Sequence, residues 1–428
     1  MKSNGKNISV GAGVSRPRRL LLCLDGVPLD LVKAAKERGL FDGFGEPSRL
    51  LSPFPTLTNV ALSEMLGASA PNGYESLYFD RKAREMRGGI SKYIGRRTPD
   101  KIPSSYMDEL DYQEPLPFEF LIYVAPEAVW RADMRRFHEK FRNAPQTRDF
   151  FAFLKGTDGL LHIRGPERLS VALESLDKIL KEIQRCCGAE TEIVLFSDHG
   201  MNLQENKRVH LQTHLNRRGY KFTDRLNGLK NDKSIAVPAF GLCGYAALYC
   251  AGEEAAAKVA TELTSLEGLD FSIHRAGERS VMVQGGRGVA RIDMRQNGHG
   301  LAYRYEQTTG DPLQLAPFVK ALMEDEELDN AGYASDAAWY ARTANHIYPD
   351  ALSNLFNSLN TPRVRHNADV LVSMRDGYYY GASLFSRFVR IAATHGNALR
   401  ASTSAFLMST HRALPETVRA SEAQPLLR

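Results

Sequence analysis

The sequence lacks any hydrophobic run long enough to cross a membrane. The stretch RPRRLLLCLDG has the basic and apolar parts of a signal peptide, but its apolar run is only the five residues 20–24 before Asp25. A signal peptide needs an apolar region of about 7–15 residues, and a membrane-spanning helix needs about 20. We therefore expect no membrane span, and we interpret this stretch as a buried strand that ends in an acidic residue.

Cysteine is also scarce. The 428 residues include five cysteines: Cys23, Cys186, Cys187, Cys243 and Cys250. Their number is odd, and their spacing fits neither a zinc ribbon nor a disulfide scaffold. We interpret them as reduced thiols and predict a cytoplasmic protein, with one internal disulfide as the alternative.

No dense block of Lys and Arg with interleaved aromatic residues is present, so the sequence does not predict a nucleic-acid-binding surface. The net charge of +5 is mild for this length and suits a small anionic substrate. A hydrophobic content of 43% and a charged content of 25% are ordinary for a globular protein. Because single cores usually stop growing below this length, we expect one large α/β domain with an insertion, or two domains.

What the sequence does contain is an alternation of apolar runs and amphipathic helices. The runs LLLCL (20–24), FFAFL (150–154) and EIVLF (192–196) alternate with helical patterns at 29–40 and 166–186. Such an alternation predicts a mostly parallel sheet with helices on both faces.

The remaining segments are assigned from composition and pattern. The apolar run FEFLIYVA (118–125) is predicted to be a further strand, and the polar residues from about 80 to 115 are predicted to form surface loops and short helices. Residues 202–367 are predicted to add β/α elements or a cap. We expect a flexible leader at 1–16 and a flexible tail at 415–428.

Acidic and imidazole side chains recur where the apolar runs end. In parallel sheets such ends lie along one edge, where ligands bind. Carboxylates and imidazoles gathered there make an oxygen and nitrogen site for metal ions, and three of each suffice for two divalent ions. The candidates are Asp25, Asp158, His162, Asp198, His199 and His395.

Each candidate also has an ordinary structural explanation. Asp25 before Gly26 fits a turn, and Asp158 in GTDG fits an Asx-turn. His162 fits a core histidine, and His395 fits a loop histidine. Taken singly these explanations are preferred, except for the Asp-His-Gly triplet that begins at residue 198. Taken together they are improbable, because they require unrelated acidic and histidine residues to occur by chance at the ends of several strands.

The stretch SPFPTLTNVALSEMLG (52–67) places Thr58 directly before a helical pattern. A threonine there is usually an N-cap, because its hydroxyl accepts a hydrogen bond from a first-turn N–H. The same position suits phosphate binding, since helix N-termini attract anions. The segment alone leaves both readings open.

In its order of motifs, the chain resembles the alkaline phosphatase superfamily, and within it the type I phosphodiesterases and nucleotide pyrophosphatases. The motifs are CLDG, FPTLT before a helix, Asp-x-x-x-His, FSDHGM and a late THG. The resemblance extends over roughly 20–200 and 365–410. It implies an alkaline phosphatase-like three-layer sandwich with a central, mostly parallel sheet and helices on both faces, an inserted smaller cap-like region, and a catalytic domain spanning 17–414.

The resemblance also implies two divalent ions, with zinc favoured and Mn²⁺ or iron as alternatives. One ion would be held by Asp158, His162 and His395. The other would be held by Asp25, Asp198 and His199, with Thr58 as the nucleophile bound to it. Thr58 is preferred to Thr56 because the family's nucleophile is the second threonine, directly before the helix. The implied reaction forms a covalent phospho-threonine, which water then cleaves.

The sequence departs from the family pattern after the nucleophile. The family carries FPNH there, and about twenty residues later a glycine-led asparagine that contacts a phosphoryl oxygen; here the segments are NVALSEMLG and PNGYESLYFD. Asn59 and Asn72 are available as substrate-binding residues, but neither occupies the expected position. Nucleotide specificity is therefore not carried over.

The hypothesis from sequence is a metal-dependent hydrolase of phosphodiester or pyrophosphate bonds with a small phosphate-containing substrate. The alternatives are a phosphomonoesterase, a phosphonate hydrolase or a phosphotransferase on the same site, or a binding protein that retains the fold. His299 is not favoured as the late metal histidine, because no apolar strand follows it. His210 and His214 are interpreted as packing residues.

Overall fold

The computed structural model describes residues 18–89, 102–122, 124–188, 190–226, 233–298, 300–381 and 390–427. The strands in chain order are β1 (Arg19–Leu24), β2 (Ser48–Leu51), β3 (Leu77–Asp80), β4 (Glu85–Gly88), β5 (Tyr112–Gln113), β6 (Phe150–Leu154), β7 (Glu192–Ser197), β8 (Lys207–Arg208), β9 (Lys221–Phe222), β10 (Ser234–Ile235), β11 (Leu242–Cys243), β12 (Tyr245–Leu248), β13 (Leu269–Arg275), β14 (Ser280–Gly285), β15 (Gly288–Asn297), β16 (Gly300–Gly310), β17 (Ala334–Ser335), β18 (Val370–Met374), β19 (Tyr378–Gly381), β20 (Ser404–Ser409) and β21 (Thr417–Arg419).

The α-helices in chain order are α1 (Leu29–Glu37), α2 (Thr58–Leu66), α3 (Leu116–Leu121), α4 (Pro126–Asn143), α5 (Gly156–Arg164), α6 (Pro166–Cys187), α7 (Leu211–Asn216), α8 (Glu253–Leu263), α9 (Ala316–Glu324), α10 (Asp336–Thr343), α11 (Ala351–Asn360), α12 (Arg400–Thr403) and α13 (Gln424–Leu427). Short 3₁₀ helices lie at Tyr106–Asp108 and Ala420–Glu422. In the described part of the chain, no helix has both the length and the apolar character needed to cross a membrane.

The central sheet has seven strands in the order β21-β2-β20-β7-β1-β6-β5. The neighbours β5 and β6, β6 and β1, β1 and β7, and β2 and β21 run parallel. Only β20 runs antiparallel to its two neighbours, β2 and β7. The predicted mostly parallel sheet is therefore confirmed.

Helices cover both faces of this sheet, because side chains alternate along its buried strands. On β1, Leu20, Leu22 and Leu24 pack into a core with residues of α1, α4 and α6. Cys23 points the other way, into a core that includes residues of α2 and α13. The result is the predicted three-layer α/β arrangement.

A second seven-stranded sheet has the order β12-β18-β13-β14-β15-β16-β17. Six of its strands come from the predicted segment 202–367, and β18 (Val370–Met374) lies just beyond it. All its neighbouring strands run antiparallel. Its core joins that of the central part, since Phe54 and Leu57 pack in one cluster with Phe271 and Tyr348. The segment that links β2 of the central sheet to α2 therefore packs against the second sheet.

Some predicted elements are wrong. The strand predicted at 118–125 is replaced by helix α3 over its first part, since α3 covers Leu116–Leu121. Proline suits the first turn of a helix, and short apolar runs do not distinguish strand from helix. Asp158, which could have formed an Asx-turn after β6, lies instead in the first turn of helix α5. The polar region from about 80 includes the β3–β4 hairpin.

The C-terminal segment is not a flexible tail. Strand β21 pairs with β2 at the sheet edge, and Val418 and Leu427 are buried in the core beside α2. Few apolar residues suffice for this docking, which explains why composition missed it. The predicted leader at 1–16 lies outside the described residues.

Helix α4 carries a buried carboxylate that predicts a pH effect on stability. Asp133 is fully buried, and its Oδ1 accepts a hydrogen bond from the Tyr112 hydroxyl at 2.5 Å. Burial raises the pKa of Asp133 to about 6. The unfolded carboxyl has a pKa of about 3.9, so the folded state binds this proton more tightly, and its contribution to stability falls as pH rises from about 4 to 6.

We expect Asp133→Asn to leave the free energy of unfolding unchanged near pH 4 and to raise it near pH 8 by roughly 2–3 kcal/mol relative to wild type. Urea unfolding at a series of pH values measures this difference. Asp30→Asn, at an exposed position on α1, serves as the control. A difference that stayed constant with pH would contradict the expectation.

Candidate active site

The site lies at the carboxyl ends of β1, β6 and β7. The parallel register sets Leu24 opposite both Leu154 and Ser197. The next residue on β1, Asp25, donates its N–H to the Leu154 carbonyl at 3.0 Å, while Asp198 follows β7 directly. The structure thus brings these predicted strand-end residues together.

Asp158 and His162 lie one turn apart on α5, so their side chains share a face of the helix. Nε2 of His162 lies 3.2 Å from Oδ1 of Asp158. The glycines of GTDG have a packing role: a methyl group at Gly156 would lie 2.9 Å from the Trp130 ring, and one at Gly159 would lie 2.3 Å from Ile122. The glycines therefore let α5 approach its neighbours closely.

The loop after β7 carries Asp198 and His199. Oδ1 of Asp198 accepts a hydrogen bond from the N–H of Gly26 at 3.1 Å, which ties this loop to the end of β1. Gly26 has a φ of +70°, and a methyl group there would lie 3.0 Å from Oδ1 of Asp158. This explains the glycine in CLDG.

His395 comes to the same place on a loop between β19 and β20. Its ring stacks on that of His199, with the centroids 3.9 Å apart. Nε2 of His395 lies 3.7 Å from Oδ1 of Asp158. All six predicted metal ligands are thus neighbours.

The hydrogen bonds of the three histidines agree with metal binding. Nδ1 of His162 lies 2.7 Å from the Ala393 carbonyl, Nδ1 of His199 lies 3.0 Å from the Gly200 carbonyl, and Nδ1 of His395 lies 2.7 Å from the Thr56 carbonyl. A carbonyl only accepts, so in each ring Nδ1 carries a proton, and in the neutral form of the ring Nε2 is the nitrogen that can bind a metal. Metal-binding histidines are commonly fixed in this way.

The ligand atoms form two overlapping groups. Asp25, Asp198 and His199 form one, which matches the predicted set, and Asp158, His199 and His395 form the other; within each group the atoms lie within 4.8 Å of one another. The second group contains His199 where the prediction has His162. Among the described residues, Oδ1 of Asp158 and Oδ2 of Asp198 are buried without a hydrogen-bond partner. Buried carboxylate oxygens of this kind fit a cation.

Burial dominates the electrostatics of the site. Desolvation raises the pKa of Asp25 well above its usual value and raises that of Asp198 to about 6. Desolvation also lowers the pKa of His199 to about 4 and that of His395 to about 3. These two imidazoles are therefore neutral at pH 7, as metal binding requires.

For Asp158 and His162 on α5, burial and charge interaction have opposite effects on the pKa values. Burial alone would raise the pKa of Asp158, but the neighbouring histidines, His162 first, lower it overall. Burial would lower the pKa of His162, but the charge of Asp158 raises it. The two groups thus favour each other's charged forms.

Thr58 is the first residue of α2, and it is not an N-cap. The capping position belongs to Leu57, which makes no side-chain cap. The Thr58 hydroxyl instead donates to Oδ1 of Asp25 at 3.3 Å and lies 3.4 Å from Nε2 of His199. Thr56 is fully buried, and its hydroxyl donates to the Asn397 carbonyl. Of the two threonines, only Thr58 faces the ligand cluster.

A cavity of about 230 Å³ opens beside Thr58. Asn59 lines it, and the Tyr106 hydroxyl donates to Oδ1 of Asn59 at 2.9 Å. Asn72 is not among its described lining residues, and its carbonyl accepts from the N–H of His366. Sequence reasoning missed Tyr106 and Lys155 as lining residues, because neither belongs to a recognisable motif.

Sequence reasoning also missed the network behind His395. The N–H of Thr394 donates to Oδ1 of Asn202 at 3.0 Å, and Nδ2 of Asn397 donates to Oδ1 of Asp376 at 2.9 Å. Nδ2 of Asn202 lies 3.4 Å from the same Asp376 oxygen. These bonds join the loop of His395 to the residues that follow the SDHG motif.

The other histidines lie apart from this cluster. His214 is on α7, and its Nε2 lies 2.8 Å from the Glu262 carbonyl; His210 precedes the same helix. His214 agrees with the packing interpretation, whereas the exposed His210 does not. His299 lies outside the described residues. All five cysteines are free thiols.

Comparison with known proteins gives one family and a fold. The model of the family described as type I phosphodiesterase / nucleotide pyrophosphatase matches residues 75–291, just over half of the chain. The match includes Asp158, His162, Asp198 and His199 but not Thr58. No curated protein matches the chain.

Two similar solved structures are phosphonoacetate hydrolase from Sinorhizobium meliloti 1021 in complex with phosphonoformate and human ectonucleotide pyrophosphatase / phosphodiesterase 5. The alignment with phosphonoacetate hydrolase covers 96% of this chain and 95% of the hydrolase chain at 13% sequence identity, with a TM-score of 0.51. The alignment with the human protein covers 96% of this chain and 93% of the human chain at 13% sequence identity, with a TM-score of 0.45. The fold is alkaline phosphatase-like, as the resemblance implied.

Gly200, the glycine of the SDHG motif, lies where a larger residue should destabilise the protein. A methyl group at Gly200 would lie 2.3 Å from the Ala401 carbonyl oxygen and 2.7 Å from that of Ser404. Neither backbone can move easily, since the N–H of Gly200 donates to the Ser402 carbonyl. We expect Gly200→Ala to lower the free energy of unfolding by about 1–3 kcal/mol.

Urea unfolding measures this loss. The control is Gly286→Ala, because a methyl group there would meet no heavy atom within 4 Å. Equal stabilities of the two variants would show that the loop after β7 tolerates the added group.

Proposed function

Because the chain belongs to the type I phosphodiesterase / nucleotide pyrophosphatase family, we propose that it hydrolyses phosphodiester or pyrophosphate bonds through Thr58 with two divalent ions. As a member of this metal-dependent family the chain is an enzyme, and its reaction class is phosphoester hydrolysis. The proposal adds the bond type, the nucleophile and the number of ions. Its substrate is a small phosphate-containing molecule, and a cytoplasmic location stays a prediction.

The observation that carries the proposal is the clustering around the Thr58 hydroxyl. Three carboxylates and three imidazoles meet there, each imidazole with Nδ1 bonded to a carbonyl. Thr58 touches two members of the cluster, Asp25 and His199. A hydroxyl in this position can attack a phosphorus held next to it.

The two proposed ligand sets are those implied by the resemblance. Asp158, His162 and His395 would hold one ion. Asp25, Asp198 and His199 would hold the other, close to Thr58. Zinc suits the mixed nitrogen and oxygen donors, with Mn²⁺ and iron as alternatives. When bound, such ions supply Lewis acidity and neutralise charge on the attacking and leaving oxygens.

The chain's own residues would act as follows. Thr58 loses its hydroxyl proton and attacks phosphorus, the leaving oxygen departs with its electron pair and takes up a proton, and water then cleaves the phospho-threonine and restores the hydroxyl. The uncapped N-terminus of α2 favours the negative charge on the phosphoryl group. Asn59, which lines the cavity, would bind the substrate.

A second candidate is hydrolysis of a phosphomonoester or a phosphonate at the same site. The size of the cavity favours it, because about 230 Å³ is below the roughly 300–1,000 Å³ typical of pockets for drug-sized ligands. A small substrate would fit without rearrangement of the walls. Chromogenic diester, monoester and phosphonate substrates compared on one preparation distinguish these activities.

Metal binding is testable without a substrate. We expect removal of divalent ions to lower the melting temperature and zinc to restore it, because an ion that binds only the folded state stabilises it. Asp198→Asn and His395→Ala should each reduce the number of bound ions, whereas His210→Ala should bind as wild type does. Elemental analysis and thermal unfolding give the readouts. Wild-type protein that binds no ion would contradict the proposal.

The nucleophile is tested separately. We expect Thr58→Ala to keep the bound ions and the fold but to lose diesterase activity by at least about 10³-fold, since the attacking oxygen is gone. Thr58→Ser should keep part of the activity. A Thr58→Ala enzyme with wild-type kcat would eliminate Thr58 as the nucleophile. The metal cluster would come into question only if this variant also lacked bound ions.

A further inference from the structure

Asn59 is the only amide side chain among the described residues that line the cavity beside Thr58. The segment PNGYESLYFD (71–80) has one asparagine, Asn72, which does not occupy the position expected from the family. Asn72 does not line the cavity. Glu75 does, but its carboxylate accepts from the N–H of Gly241 at 2.6 Å and from the Tyr245 hydroxyl at 2.9 Å. That side chain therefore holds the cavity wall together.

The amide of Asn59 has a fixed orientation. The Tyr106 hydroxyl donates to Oδ1 of Asn59 at 2.9 Å, across 47 positions of the sequence. With its oxygen engaged, the amide has Nδ2 left to donate to a ligand. Asn59 follows Thr58 on the first turn of α2, and both residues line the same cavity.

Tyr106 is mounted rigidly enough to impose that orientation. It begins a 3₁₀ helix whose capping box joins Ser105 and Asp108. The buried Tyr106 ring packs in one core with Leu62 of α2. The N–H of Ser69, just after α2, donates to the Ser104 carbonyl at 2.9 Å. The hydroxyl is therefore held in position relative to the helix that carries Thr58 and Asn59.

We propose that Tyr106 is a positioning residue whose hydroxyl orients Asn59, so that Nδ2 of Asn59 binds a non-bridging phosphoryl oxygen of the substrate. This inference rests on the proposed function. A donor held next to the nucleophile stabilises the negative charge that builds on phosphoryl oxygens in the transition state, and a preoriented donor contributes more than a freely rotating one. The pair would thus replace the asparagine that the family carries later in the chain.

A double-mutant cycle on the metal-loaded enzyme tests the pairing. We expect Asn59→Ala to lower kcat for a chromogenic diester by about 10²-fold. Tyr106→Phe should lower it about tenfold, the worth of one hydrogen bond. In the Asn59→Ala background, Tyr106→Phe should cause no further loss, because the amide that it orients is absent. The control is Tyr249→Phe, which removes a hydroxyl that donates to the His366 carbonyl outside the cavity; its kcat should equal that of wild type.

Calorimetric binding of inorganic phosphate gives a readout that does not depend on turnover. Asn59→Ala and Tyr106→Phe should weaken phosphate binding, and Tyr249→Phe should not. Losses that multiply in the double variant, an unchanged kcat in Tyr106→Phe, or unchanged phosphate affinity in Asn59→Ala would each overturn the inference. Failure of the proposed function would instead appear in the wild type, as metal-loaded protein that cleaves no phosphoester, and phosphate affinity would still decide the role of the pair.

Discussion

The parallel pairing of β1 with β6 on one side and β7 on the other is the constraint on which the rest of the site depends. Its register sets Leu24 level with Leu154 and Ser197, so the chain leaves all three strands at the same height. A slip of one residue would turn every side chain of β1 to the opposite face. The buried leucines of β1 oppose such a slip, and hydrophobic burial thereby fixes the position of a carboxylate.

The carboxylates gathered by this register are costly to bury. Asp25 and Asp198 are buried side by side, and both have raised pKa values because water is excluded. The backbone partly compensates, since the N–H of Gly26 donates to Asp198 and backbone carbonyls fix the histidine rings. Charges of one sign that remain close in a buried cluster are relieved best by cations. The fixed histidine rings and the buried carboxylates therefore both favour the binding of metal cations.

The sequence predicted the central sheet and the cluster well because both follow from local patterns. Apolar runs of strand length ended at Asp25 and Asp198, and a parallel sheet required those ends to meet. The predictions failed where long-range packing decided the structure. The segment GTDG (156–159) fitted an Asx-turn, but its glycines permit α5 to approach Trp130 and Ile122.

Tyr106 had no local signal at all, because its importance arises from a contact across 47 positions of the chain. The strand order of the second sheet was equally hidden, since strand patterns do not specify partners that are distant in the sequence. The short strand β21 was missed because only its pairing with β2, far earlier in the sequence, makes it a strand. Local sequence patterns do not predict contacts between distant segments of the chain.

Strand β20 has a consequence for how the molecule is assembled. It consists of residues 404–409, yet it lies between β2 and β7, which belong to the first 200 residues. Until β20 is synthesised, β2 cannot join the sheet and one edge of β7 stays open. Open strand edges invite pairing with other chains, and contacts between distant segments slow folding. A nascent chain of this protein therefore emerges with its central sheet incomplete for most of its synthesis, and chaperones that shield strand edges should bind it during that interval.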